Sequence, residues 1–163
     1  MSEPFPEYNP APEEQQPTDF AKMFERERAE WKEKIQVISL HIKNIKTVAE
    51  AQVDLFSTRQ TLLEYSYKLA QIVSKLSTKE RQMRAKKLKE YTEGKDIRYG
   101  ANEKTTLIEG DIAELSEKMQ LVEGHRKYID QTIQTVDHML YGIKSRIALE
   151  DYDPTDRRDT SRS

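Results

Sequence analysis

Residues 108–147 read IEGDIAELSEKMQLVEGHRKYIDQTIQTVDHMLYGIKSRI. Within them Ile108, Ile112, Leu115, Met119, Val122, Arg126, Ile129, Ile133, Val136, Leu140, Ile143 and Ile147 alternate spacings of four and three, and all but Arg126 are apolar. Side chains three and four apart share a helix face, so this is a single apolar seam carried through more than five heptads. The phase passes Gly124 without a slip, which predicts one helix over 103–149 and not a hairpin. With Ile108 at d, the d positions hold mostly β-branched residues, which disfavour a parallel dimer and shift preference towards more strands. All of the seam except Ile108 and Arg126 is therefore a candidate oligomerisation surface. The same stripe also suits packing against Val48–Leu76 of its own chain, and the two arrangements are compatible. Arg126, at an a position, either fixes register or snorkels to water.

Upstream, the same grammar continues. Phe24, Trp31, Ile38 and Ile45 recur every seven residues, with Ile35 and Ile42 filling the second seam position. A helix opening at Thr18 or Asp19 has a suitable N-cap there. After Ile45 the series restarts out of phase as Val48, Leu55, Leu62, Leu69 and Leu76, and Thr47 with Glu50 matches a capping box at the slip. A break near Asn44–Thr47 follows. A second capping pattern, Ser77 with Glu80, marks a possible third start.

The flanks are of another kind. Residues 1–17 contain Glu3, Glu7, Glu13 and Glu14, no base, and five of the chain's six prolines. Such a segment buries too little apolar surface to offset its ordering entropy, so it reads as a disordered acidic arm, and 150–163 as a disordered tail. Between them, 18–149 form the helical domain. Hydrophobic residues are 36% of the 163-residue chain and charged residues 34%, a balance that leaves few core residues per helix unless helices or subunits share seams. The fold class expected is all-α: long helices with a coiled-coil-like carboxy-terminal helix, in a bundle assembled as a higher oligomer.

The net charge of −2 conceals one basic block. Residues 75–98 carry Lys75, Lys79, Arg81, Arg84, Lys86, Lys87, Lys89, Lys95 and Arg98 against Glu80, Glu90, Glu93 and Asp96. At helical spacing Arg84, Lys87, Tyr91 and Lys95 fall along one strip. Cations beside an aromatic ring can hold phosphates while the ring stacks on an unpaired base. A solvated basic helix face is the plainer meaning of the same run.

Several chemistries are excluded by what is missing. The chain has no cysteine, hence no disulfide, thiolate metal site or cysteine nucleophile. His41, His125 and His138 lack metal-ligand spacing and read as surface or e/g residues; no phosphate-cradling glycine motif occurs. No apolar run reaches the ~20 residues that cross a bilayer, and MSEPFPEYNP is not a secretory signal. Catalysis, a cofactor, a metal and a membrane partner are not expected.

KKLKEYTEGKD at 86–96, a polar connector, GDIAEL at 110–115 and YGIKSRI at 141–147 stand in that order. This arrangement resembles the UvsY-type recombination mediators of tailed phages over approximately residues 55–149. The resemblance implies a non-enzymatic, cytoplasmic protein (the host cytoplasm, if phage-encoded) that binds single-stranded DNA and forms a homo-oligomer larger than a dimer. It also implies that the protein helps a RecA-like recombinase replace the single-strand-binding protein. The family's basic stretch falls on Lys86 and Lys87, and its Tyr/Gly turn on Tyr91 and Gly94. Arg84, Lys86, Lys87, Lys89, Tyr91 and Lys95 are thus the candidate DNA-binding residues. Glu90 stands where the family often has a second tyrosine, and neither the acidic arm nor most of Phe20–Ile45 has a counterpart. The rival expectation is a non-enzymatic structural, scaffold or adaptor coiled coil of a phage.

Overall fold

The computed structural model describes residues 19–44, 46–94 and 98–150, which form three helices and, among these residues, no strand. They are α1 (Phe20–Ile42), α2 (Val48–Glu93) and α3 (Ala101–Glu150). The expected arm at 1–17, most of the tail, Ile45 and Lys95 lie outside the described residues.

Asp19 caps α1, its carboxylate accepting from the Lys22 amide at 3.3 Å. The break falls where the phase slip puts it, but not through a capping box. The Thr47 hydroxyl instead donates back to the His41 and Asn44 carbonyls at 2.7 and 3.2 Å, so it makes no cap bond into α2. From across the bundle Arg146 donates to the Ile42 carbonyl at 2.9 Å, satisfying an acceptor that the ended helix leaves open. No break occurs at Ser77, and α2 runs through it: Leu69, Val73, Leu76, Glu80, Met83 and Lys87 keep to 4-3 spacing on its buried or half-buried side. A continuing interhelix contact outweighs a local capping pattern. α3 is likewise unbroken through Gly124, and the Glu103 carboxylate closes its start on the Gly100 amide at 2.8 Å.

α2 and α3 are antiparallel, as Arg59–Asp137 and Ser66–Asp130 at one end and Tyr91–Asp111 at the other show. α1 runs antiparallel to α2 and lies against both, since Glu27 meets Tyr65 and His125 while Ile42 meets Arg146. At about 1.5 Å per residue α1 is roughly 35 Å long, half the length of its partners. The molecule is therefore a three-helix body continued by a two-helix arm made of 75–94 and 98–117.

The core belongs to the body. Phe24 and Ile38 of α1, Leu55, Leu62 and Leu69 of α2, and Val122, Ile129, Val136 and Ile143 of α3 form one buried cluster, with Trp31, Ile35 and Leu76 against its edge. The long α3 seam is thus largely closed within the chain. Val122, Ile129, Val136 and Ile143 at d are fully covered; Ile112 and Ile133 are buried too, and Leu115, Met119 and Leu140 half-buried. Of the candidate oligomerisation residues only Ile147 is exposed. The β-branched d positions pack on α2 and so do not bear on strand number. Arg126 points to water, 3.9 Å from Asp130, and snorkels.

Candidate nucleic-acid interface

The basic block occupies one helix of the arm. Residues 75–94 hold seven cations and three carboxylates, whereas 98–117 hold two cations, Arg98 and Lys104, and five carboxylates, Glu103, Glu109, Asp111, Glu114 and Glu117. The arm is nearly neutral as a whole and polarised across its width.

The candidate residues divide among three surfaces. Lys87 and Tyr91 continue the α2 seam and turn towards α3, where Asp111 receives both. The Tyr91 hydroxyl donates to Asp111 Oδ2 at 2.6 Å, and Lys87 Nζ lies 3.7 Å from the same oxygen and 3.1 Å from Glu90. The hydrogen bond to Glu90, with Asp111 behind it, holds the Lys87 ammonium above its ordinary pKa, and the bond to Asp111 raises that of Tyr91. Tyr99 stands nearly perpendicular to the Tyr91 ring with centroids 5.7 Å apart, so the expected stacking platform already packs against a second aromatic ring. Arg84 is two residues from Lys86, about 200° around the helix, and faces away from it beside Glu80. The strip read from spacing alone, Arg84–Lys87–Tyr91, is therefore not a free basic surface.

Lys86 and Lys89 belong to a different row. Lys75, Lys79, Lys86 and Lys89 are all exposed, follow one another at spacings of four, seven and three, and cover about 21 Å of one flank. The only close partners of Lys86 and Lys89 in α2 are Glu90 and Glu93, at 3.9 and 4.0 Å, and the two lysine side chains are 76% and 73% exposed. Pairs this long and wet contribute little and exchange readily. Lys75 and Lys79 stand in the basic block but not among the candidate residues, although their helical spacing from Lys86 already put them on one face.

A second polar cluster lies inside the body. His125, at a g position, is fully buried and not a surface residue, because α1 lies over it. Its ring stacks on Phe24 at 4.1 Å between centroids, and its Nε2 is 2.9 Å from Glu27 Oε2 and 3.3 Å from the Tyr65 hydroxyl. Tyr65 donates to the same Glu27 oxygen. Two acceptors facing Nε2 put the ring proton there and leave Nδ1 buried without a partner. Burial and the Glu27 bond both raise the Tyr65 pKa. The cluster joins all three helices through one side chain from each.

Among the described residues no helix is long and apolar enough to cross a membrane, and no group of three or more histidine and carboxylate side chains is placed to hold a metal ion. No family model matches the chain, and no curated protein or solved structure matches it either.

Proposed function

We propose that this chain is a non-enzymatic protein that binds single-stranded DNA along the lysine flank of its arm, several copies acting together. The observation that carries the reading is the row Lys75, Lys79, Lys86 and Lys89, four exposed cations on one side of a helix, of which Lys86 and Lys89 have only loose carboxylate partners and Lys79 lies within electrostatic reach of Glu114. A polyanion releases counterions wherever a lysine replaces them, so such a row favours a flexible phosphate chain without asking for base readout. Near-neutral monomers suit this role when copies repeat the flank along one strand and the sites add through effective concentration. The resemblance to UvsY-type mediators supplies the setting: loading of a RecA-like recombinase in place of single-strand-binding protein. Lys87 and Tyr91 then serve the arm's own packing through Asp111.

The test replaces Lys75, Lys79, Lys86 and Lys89 by Ala and follows oligonucleotide binding against salt. Each lost phosphate contact lowers the salt slope by about 0.7. Unchanged affinity and slope in this variant overturn the reading. A structural or adaptor role is favoured by one observation, the polarised near-neutral arm whose seam cation, Lys87, is held by Glu90 and Asp111. An adaptor shows negligible oligonucleotide binding at physiological salt in a polyelectrolyte competition.

A further inference from the structure

α2 carries a second apolar row that none of the described residues covers. Val53, Phe56, Leu63 and Tyr67 are 68%, 56%, 37% and 66% exposed. With Gln60 they advance by three, four, three and four residues, the spacing of a seam, and Ala70 adds another step of three. The row faces away from α1. Gln60 and Tyr67 stand two residues, about 200°, from Thr58 and Tyr65; Thr58 shares a depression with Val37 and Ile38, and Tyr65 bonds Glu27. Towards α3 the row is bordered by the shallow groove that Phe56 lines with Leu140, Tyr141 and Ile147. Exposed apolar side chains gathered at seam spacing mark a contact surface.

The row is its own complement. Turning α2 end for end about the point midway between Gln60 and Leu63 puts Gln60 on Leu63, Phe56 on Tyr67 and Val53 on Ala70. Two copies related by a two-fold axis through that point therefore set every member of the row level with another member, reciprocally. Charge agrees with the antiparallel sense. Glu50 and Lys75 are exposed, and both lie about half a turn around α2 from Arg59, which faces Asp137 of α3, so they share the row's outer flank. The antiparallel register brings each Glu50 within about 3 Å, along the axis, of the other copy's Lys75. Parallel copies would instead set glutamate beside glutamate and lysine beside lysine.

We propose that a second copy of this chain docks on this row, α2 antiparallel to α2, with Phe56 of each copy beside Tyr67 of the other. Val53 to Ala70 spans about 26 Å, so the contact is smaller than the ~800 Å² per partner of a standard interface, and the pair exchanges with monomer. The pairing needs no DNA. Its bearing on strand binding rests on the reading above: both lysine flanks then lie on one face of the pair and run outward in opposite directions.

Disulfide trapping of the full chain tests the pairing. The chain has no cysteine, so an introduced one is the sole thiol. A Val53→Cys chain is mixed with an equal amount of an Ala70→Cys chain, oxidised mildly and digested, and the linked peptides are identified by mass. The expected result is an excess, by about tenfold, of links between unlike chains over links between like ones, whose sulfurs this register holds about 26 Å apart. An excess of like-chain links overturns the proposal in favour of parallel copies. A statistical mixture, or no more disulfide than Leu40→Cys gives from the outer side of α1, where Leu40 is 61% exposed, overturns it outright. Oligonucleotide titration of the parent chain and of the linked pair separates the two readings. If the unlike link forms but neither species binds the oligonucleotide, the pairing stands and the DNA reading falls. Binding by a chain that does not link leaves the DNA reading in place and removes the pairing.

Discussion

His125 and Glu27, 98 residues apart in the chain, are joined at 2.9 Å inside the body, and the histidine has no solvent exposure. Burial lowers the His125 pKa, and nearby Arg28 adds to that, while the Glu27 carboxylate pulls the other way without reversing the direction. A proton arriving at Nδ1 would also make a buried donor with nothing to receive it. The folded state therefore binds this proton less readily than the unfolded chain, where histidine titrates near pH 6.5. Stability is full above about pH 6.5 and falls as the pH drops from there towards the lowered folded value. Urea melts between pH 7.5 and 5.5 should show that decline, and a His125→Gln variant should show a flatter profile. A midpoint that rises on acidification over this window contradicts the assignment.

Three glycines weaken α3 for no steric reason. A Cβ at Gly110, Gly124 or Gly142 would meet nothing within 4 Å, and none has positive φ. Each change to Ala is expected to stabilise the protein by about 0.5–1 kcal/mol through helix propensity and a less disordered unfolded chain. At Gly94 a Cβ would come within 3.0 Å of the Glu90 carbonyl, so the same change there brings no gain. Thermal melts of the four single variants make the comparison.

Core and surface positions of neighbouring seams should respond very differently. Leu62 is fully buried in the body, and Leu62→Ala is expected to cost about 2–5 kcal/mol. Arg126 occupies an a position in the heptad but faces solvent, so Arg126→Ala should stay within about 0.5 kcal/mol of the parent. A large loss at Arg126 would mean that it is covered, which would restore it as a register residue between subunits.

Assembly can now be tested without disturbing the core. Phe56 and Tyr141 are 56% and 73% exposed and, with Gln52, Leu140, Lys144 and Ile147, line one shallow groove away from α1. If copies associate through this face, Phe56→Asp with Ile147→Asp lowers the native mass in light scattering while circular dichroism is unchanged. A parent chain that already runs at its monomer mass of 19.1 kDa sinks the proposal of a higher oligomer.

Much of the fold was legible because the apolar series are long and their phase is strict. Phe24, Ile38, Leu55, Leu62 and Leu69 are all buried, and the slip between Ile45 and Val48 falls at the turn between α1 and α2. The site was less legible because charge is assigned by pairing between helices. Asp111 is 24 residues beyond Lys87 in the chain, and only the antiparallel register of α2 on α3 brings it to the lysine and to Tyr91. His125 was misread for the same reason. A g position is wet or dry according to what lies over it, and the placement of α1 across that face is a tertiary fact that no single helix pattern contains.

The unbroken passage of α2 and α3 from body to arm has a mechanical consequence. With no interruption at Ser77 or Gly124, the arm has no joint at either position, and Lys86 is connected to Tyr65 in the body by about 32 Å of continuous helix. Whatever grips the lysine flank thereby sets the heading of the entire molecule, as a handle sets a blade. Copies held along one strand would inherit their spacing and tilt from the strand itself.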